Sequence, residues 1–172
     1  IVNCLQALRI GHDSHGETRH LTHYNLGLAY TALGQEELAI ENYREAINRS
    51  PHFSKAHTNL AVLLMRKKKY EEAFDHLITA LTHDENNHRA HLNLGVVLLK
   101  QQRLEEAESE LRKALAIENE FAPALYNLGI SYKLKGDFPK AKHYLQRALE
   151  QNKKDLMIRL HLAETLFLMG DD

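Results

Sequence analysis

The stretches "KAHTNLAVLL" (residues 55–64) and "RAHLNLGVVLL" (residues 89–99) are nearly the same phrase, written twice in a chain of 172 residues. His57 matches His91 and Asn59 matches Asn93, with the same offset of 34 for both pairs. One such period earlier the phrase occurs as "LTHYNLGLAY", and one period later as "PALYNLGISY", with leucine in place of the histidine. A fixed period of this length indicates a repeat architecture and decides the fold.

Four further columns of small residues or leucine share this period. They are Gly27, Ala61, Gly95 and Gly129; Ala39, Ala73, Ala107 and Ala141; Ala46, Ala80, Ala114 and Ala148; and Leu26, Leu60, Leu94, Leu128 and Leu162. Within each period, apolar residues recur at helical spacing, which predicts two helices joined by a tight turn. Small residues allow two helices to cross closely, so these columns mark the predicted crossing points.

One position of the predicted turn between the two helices requires a left-handed backbone conformation. Gly34 and Gly136 supply the left-handed conformation that ends a first helix. Lys68 and Gln102 hold the same position in the two middle repeats, where we expect a modest strain cost.

Composition excludes several classes of protein. Lys and Arg number 22 against 23 Asp and Glu, so no global field favours nucleic acid or a membrane surface. No apolar run approaches the roughly 18 residues of a membrane span. Cys4 is the only cysteine, which excludes an intrachain disulfide and a cysteine metal cluster, and slightly favours the cytoplasm without fixing the compartment. The basic run "RKKK" at 66–69 is interpreted as a solvated turn.

The phrase NLG or NLA, a Tyr or Leu soon after it, the alanine columns and Pro51 together resemble the tetratricopeptide repeat (TPR) family. The resemblance implies an all-α solenoid of antiparallel helix pairs wound into a right-handed superhelix. The predicted TPR repeats span residues 20–53, 54–87, 88–121 and 122–155. Residues 1–19 are predicted to be the second helix of a truncated repeat plus a long loop, and residues 156–172 the first helix of another, so we expect an array cut at both ends.

The resemblance also implies that certain columns of each first helix line a concave groove. The predicted peptide-binding residues in this groove are Tyr24, Asn25, Lys55, Asn59, Val62, Arg66, Arg89, Asn93, Val96, Lys100, Tyr126, Asn127, Ile130 and Lys133. Among them, Val62, Val96 and Ile130 form an apolar stripe, which is typical of a partner site when it is exposed. The basic members predict a ligand that mixes hydrophobic and acidic residues.

The asparagine column is the most specific feature of this groove. An asparagine amide can pair with both polar groups of a peptide unit. Neighbouring helices lie about 8–10 Å apart and an extended chain advances about 3.3 Å per residue, so one Asn per repeat could hold peptide backbone every third residue. The column resembles the asparagine ladder in the repeats of O-linked N-acetylglucosamine transferase. The alternative is that Asn is merely common at this position of the family.

Histidines at His23, His57 and His91 do not predict a metal site. Two ligands of one zinc ion lie within about 4 Å of each other, and residues one repeat apart miss that distance twofold. We interpret these histidines as packing residues with a polar tip. The cluster "GHDSHGETRH" at 11–20, with His12, His15 and His20, is interpreted as a solvated loop. No metal or other cofactor is predicted.

The leading hypothesis is a non-catalytic interaction or scaffold module that binds an extended peptide, because no phosphate loop, nucleophile elbow or catalytic triad pattern occurs. The carboxylate clamp known in the TPR family is absent, since Tyr24 and Leu28, or Thr58 and Val62, occupy its columns. Two alternatives stay open. The array could be a substrate-recruiting arm of a larger enzyme or membrane protein, such as a glycosyltransferase, or it could self-associate through its open ends.

Overall fold

The computed structural model describes residues 19–170, and every element in that range is an α-helix. The nine helices of this range are α1 (Arg19–Ala32), α2 (Glu36–Arg49), α3 (Ser54–Arg66), α4 (Tyr70–His83), α5 (His88–Lys100), α6 (Leu104–Ile117), α7 (Ala122–Leu134), α8 (Phe138–Gln151) and α9 (Leu156–Met169). None of these helices is long and apolar enough to cross a membrane. The predicted all-α architecture is confirmed for the described residues.

The chain divides into two compact units, residues 1–85 and residues 86–172. The described part of unit 1 holds the helix pairs α1–α2 and α3–α4. Unit 2 holds the pairs α5–α6 and α7–α8 followed by α9. The predicted helix at residues 156–169 is present as α9, whereas the helix predicted at residues 1–10 lies outside the described residues.

The core of each helix pair lies where the small residues bring two helices together. All eight alanines of the two second-helix columns are fully buried. In α5, a Cβ added to Gly95 would lie 2.7 Å from Leu111 Cγ in α6. In α7, a Cβ on Gly129 would meet Leu145 of α8 at the same distance. The side chain of the second helix therefore packs directly on the backbone of the first, as the small columns predicted.

Four turns inside helix pairs share one left-handed residue. Its φ is 72° at Gly34 and 77° at Gly136, and it is 59° at Lys68 and 61° at Gln102. In each turn the next residue donates its backbone N–H across the end of the helix, as Arg103 does to the carbonyl of Leu98 at 2.9 Å. The left-handed conformation predicted for this position is thus confirmed at the lysine and the glutamine, and because a Cβ disfavours this region, the modest strain cost there stays a prediction.

The last helix exposes much of its apolar surface. Asp155 begins α9 by accepting hydrogen bonds from the backbone N–H groups of Met157 and Ile158, at 2.9 and 3.2 Å. Leu156 and Phe167 are 75% and 79% exposed. Ile158 and Thr165 are buried, so α9 has one face packed and one face open.

Candidate functional site

In unit 1, the predicted groove residues Tyr24 and Asn59 are in contact. The Asn59 amide donates a hydrogen bond to the Tyr24 hydroxyl at 3.2 Å, which links α3 to α1. The Tyr24 ring also packs edge-on against Phe53, with centroids 4.9 Å apart. Asn25 is exposed, and its amide makes no hydrogen bond within residues 19–170. Two asparagines of one column therefore differ in how much of their hydrogen-bonding capacity is already used.

In unit 2, the same column shows a similar division. The Asn93 side chain is half-buried and makes no hydrogen bond to any part of the chain that the structure describes. Asn127 donates from its amide to the carbonyl of Pro123 in the preceding turn of α7, at 2.8 Å. That bond leaves the Asn127 Oδ1 and one N–H for a ligand.

Five predicted groove residues of unit 2 line one cavity of about 370 Å³. Side chains of α5, α7 and α9 and the α5–α6 turn form its wall. The lining residues are Val96, Leu99, Lys100, Gln102, Tyr126, Asn127, Ile130, Leu134 and His161. Tyr126 and Asn127 also line a second cavity of about 320 Å³ toward the start of α9. The α7 face thus carries a track of open space along its length.

His161 was not among the predicted groove residues, although the period contains the signal. It lies one period after Asn127 and so occupies the asparagine column in α9. Glu164 lies one period after Ile130 and places an acid where earlier repeats have an apolar residue. Both residues lie in the incomplete last repeat, for which no groove residues were predicted.

The five predicted basic residues of the groove are not equally available. Arg66 pairs with Glu36 at 3.2 Å. Lys133 pairs with Glu164 at 2.5 Å, and hydrogen bonds from Lys133 and His161 lower the pKa of the Glu164 carboxyl. Within residues 19–170 the remaining three form no ion pair; they are Lys55 in unit 1 and Arg89 and Lys100 in unit 2. The cations free to meet an acidic ligand in unit 2 are therefore both on α5.

The repeated histidines pack inside their helix pairs, as predicted. Each contacts the residue 19 positions later in the second helix: His23 Nδ1 lies 3.3 Å from Asn42, His57 Nδ1 lies 2.9 Å from His76, and His91 Nδ1 lies 2.7 Å from Glu110. His57 and His91 are only 5% and 7% exposed. The histidine column is therefore structural, with a different partner in each pair.

The His57 and His76 contact fixes the tautomers of both rings. The Pro51 carbonyl lies 3.0 Å from His57 Nε2 and can only accept, so this nitrogen carries the proton. His57 Nδ1 then accepts from the Nδ1–H of His76. Burial lowers the pKa of both histidines; a charge on the His83 ring would lower the pKa of His57 further, and a charge on His57 would lower that of His76.

Within residues 19–170, no group of three or more His, Cys, Asp or Glu side chains is placed to hold a metal ion. Of the sequence cluster at 11–20, His20 is described, and its ring packs edge-on against Phe53 at 5.2 Å. His12, Asp13, His15 and Glu17 lie outside the described residues.

Several solved structures share the fold of this chain. A solved PilF structure from Pseudomonas aeruginosa is 27% identical, with a TM-score of 0.81 over 91% of this chain and 71% of that one. A thermophilic TPR protein of Thermus thermophilus is 26% identical, with a TM-score of 0.74 over 88% of this chain and 84% of that one. PilW, described as a type IV pilus biogenesis factor, is 22% identical, with a TM-score of 0.85 over 99% of this chain and 77% of that one. Comparison with curated protein sequences gave no match.

These similarities confirm the predicted TPR resemblance and the solenoid class of the fold. A family model described as the cilia and flagella-associated protein 70 C-terminal domain matches residues 4–171. Because that match covers nearly the whole chain, the protein belongs to the family of the TPR-containing C-terminal domain of cilia and flagella-associated protein 70.

Proposed function

We propose that this chain is a non-catalytic interaction module that holds an extended segment of another protein against its first helices. The observation that carries the proposal is the unit 2 cavity, where Val96, Lys100, Tyr126, Asn127 and Ile130 come together. Its wall combines apolar side chains with a few polar groups, which is the usual composition of a binding site.

The chemistry of the cavity favours a particular ligand segment. Val96, Ile130 and the Tyr126 ring offer apolar contact, while Asn127 offers an amide oxygen and one N–H to peptide backbone. The free cations Arg89 and Lys100 attract carboxylates at the α5 side. The site therefore fits a peptide that carries large apolar residues and an acidic residue near α5.

The α9 side of the same face favours apolar residues of a ligand rather than acidic ones. Glu164 is held between Lys133 and His161, so it neutralises the predicted groove cation on α7 and adds no attraction for an acid. Exposed Leu160, Phe167 and Leu168 extend the apolar surface along α9. We infer that the bound segment is oriented, with its acidic end toward α5 and its apolar end toward α9.

The family supplies the setting for this proposal. The family name places a member in cilia and flagella, and we propose that the partner is a protein of such an assembly. A substrate-recruiting arm of a larger enzyme would use the same groove, so this alternative differs only in what the full protein carries. Self-association is the second candidate, and the exposed apolar side chains of α9 favour it.

Peptide display tests the proposal. Peptides from a random dodecamer library are selected against the full chain, and their affinities are measured for Ile130→Asp and for Ile78→Asp. Ile78 is an exposed apolar residue of α4, so its substitution is a matched control outside the groove. We expect selected peptides to combine acidic and apolar residues and to lose at least about tenfold in affinity only in Ile130→Asp, because a carboxylate in the apolar wall is costly to bury. Equal binding to both folded variants would contradict a groove ligand.

A further inference from the structure

Two exposed histidines of unit 1 face each other outside the groove. His52 lies in the turn between α2 and α3, and His83 is the last residue of α4. His52 Nδ1 and His83 Nε2 are 3.0 Å apart. Neither belongs to the packing column of buried histidines described above.

The rings of this pair are inclined to each other more sharply than those of the buried histidine pair. In the buried pair of His57 and His76 the nitrogens are 2.9 Å apart and the ring centroids 5.1 Å apart, so the rings meet nearly end to end. In the exposed pair the nitrogens are 3.0 Å apart but the centroids only 4.2 Å. The rings of His52 and His83 are therefore inclined to one another rather than end to end, and one nitrogen of each ring lies within 3.0 Å of the other.

The 3.0 Å between the two nitrogens matches the distance between neighbouring ligand atoms of one metal ion. Imidazole nitrogens bind a divalent transition metal at about 2.0–2.1 Å, so two of them at a right angle are about 3 Å apart. That angle is the one between neighbouring ligands in square-planar and octahedral complexes, which Cu²⁺ and Ni²⁺ prefer. We propose that His52 and His83 form a two-histidine chelate for a divalent transition metal ion, with water completing its coordination.

Exposure separates this pair from the buried histidines His57 and His91. His57 is buried and bonded through its second nitrogen to the Pro51 carbonyl, and His91 is bonded to Glu110, so neither has room for a metal and its waters. His52 follows Pro51 directly along the chain. A bound ion would therefore join the end of α4 to the same turn that positions the buried pair, and would bind the folded form of unit 1 more tightly than the unfolded chain.

Cu²⁺ titration of the full chain tests the site, with His52→Gln and His83→Gln as variants. Each variant leaves one nitrogen of the chelate, so we expect the affinity for the first Cu²⁺ to fall at least about tenfold. His143→Gln is the matched control, because His143 is exposed and lies beside Tyr144 rather than another histidine. We expect this control to bind Cu²⁺ as the wild type does.

The chain contains 12 histidines, so the assay must also locate the ion. In ¹H–¹⁵N spectra of the imidazoles, substoichiometric Cu²⁺ should broaden His52 and His83 before the others. Acidification should weaken binding, because protons and the metal compete for the same nitrogens. First-equivalent affinity that is unchanged in both variants, or broadening that begins at other histidines, would overturn the proposal.

Discussion

Helix pairs α3–α4 and α5–α6 begin with almost the same sequence phrase, yet their buried histidines contact different partners. In α3–α4, the column histidine His57 contacts a second neutral ring, His76. In α5–α6, His91 contacts the carboxylate of Glu110 at 2.7 Å. A histidine at this position therefore has a hydrogen-bonding partner in the second helix, and that partner can be neutral or charged.

The two pairs also differ where their helices cross. Ala61 in α3 occupies the position that Gly95 holds in α5. Ala61 is fully buried, and Leu111 lies where a Cβ of Gly95 would be. The packing of α5–α6 is therefore adapted to the missing side chain, whereas that of α3–α4 already accommodates a methyl group.

Exchanging Gly95 for alanine and Ala61 for glycine should give the largest change in stability. Gly95→Ala places a Cβ 2.7 Å from Leu111 Cγ, an atom near the root of its side chain, so α5 and α6 must separate. We expect a loss of about 1–3 kcal/mol in the free energy of unfolding. The reciprocal Ala61→Gly should cost about 1 kcal/mol through helix propensity and lost contacts. Urea denaturation with amide hydrogen exchange checks both, and a neutral Gly95→Ala would show that the crossing is loose.

The next largest difference is expected in mild acid, which should destabilise α3–α4 but not α5–α6. Burial lowers the pKa of His57 and His76 below the unfolded value of about 6.5, so the unfolded chain binds more protons and stability falls as the pH drops below about 6.5. Burial raises the pKa of Glu110, but hydrogen bonds from His91 and Lys113 outweigh it and lower the pKa overall. The stability from Glu110 is therefore lost only as the pH falls below about 4.3. Between these limits, hydrogen exchange should accelerate in α3–α4 and not in α5–α6.

A double substitution provides the control for this pH effect. In α7–α8 the same two positions hold Leu125 and Tyr144, which pack together without a titrating histidine. The variant His57→Leu with His76→Tyr should therefore remove the acid response of α3–α4. If exchange in α3–α4 still accelerates in that variant, other groups cause the effect.

Sequence alone predicted the helices, the crossing columns and the strained turns because the period repeats each of them. It predicted that His57 and His91 would pack, but not their partners, since the partner depends on how the second helix is rotated against the first. The sequence also did not predict which asparagine amides form hydrogen bonds. Asn59 and Asn93 occupy the same position of their repeats, but Asn59 has the Tyr24 hydroxyl beside it and donates a hydrogen bond to it. The peptide-binding role of the column and the repeat boundaries remain predictions.

The asparagines offer a smaller test of the same comparison. Asn59→Ala removes the hydrogen bond to Tyr24, while Asn93→Ala removes no side-chain bond within residues 19–170. Both gain helix propensity, so the difference between them measures the bond to Tyr24, which we expect to be about 0.5–1.5 kcal/mol. Thermal unfolding of the two variants at neutral pH supplies the measurement. Equal stability would mean that the Asn59 bond contributes nothing and that both amides are free for a ligand.

The smallest effect is expected where the two pairs are alike. Lys68 and Gln102 have φ angles of 59° and 61° at the same turn position, which Gly34 and Gly136 occupy elsewhere. A Cβ in this region costs about 1–2 kcal/mol, which a glycine avoids. Glycine also loses more conformational entropy on folding, and this loss offsets part of the gain in stability. We therefore expect Lys68→Gly and Gln102→Gly each to raise the free energy of unfolding by about 0.5–1 kcal/mol, as measured by urea denaturation.

Equal gains at these two turns would show that the differences between the pairs come from their buried contacts and not from the backbone. Gln102 also lines the unit 2 cavity, whereas the Lys68 side chain lies at an exposed turn of unit 1. Gln102→Gly should therefore change the affinity for a display-selected peptide, and Lys68→Gly should not. A gain in stability at Lys68 alone would indicate that the Gln102 side chain makes a contact in the cavity that offsets its backbone strain.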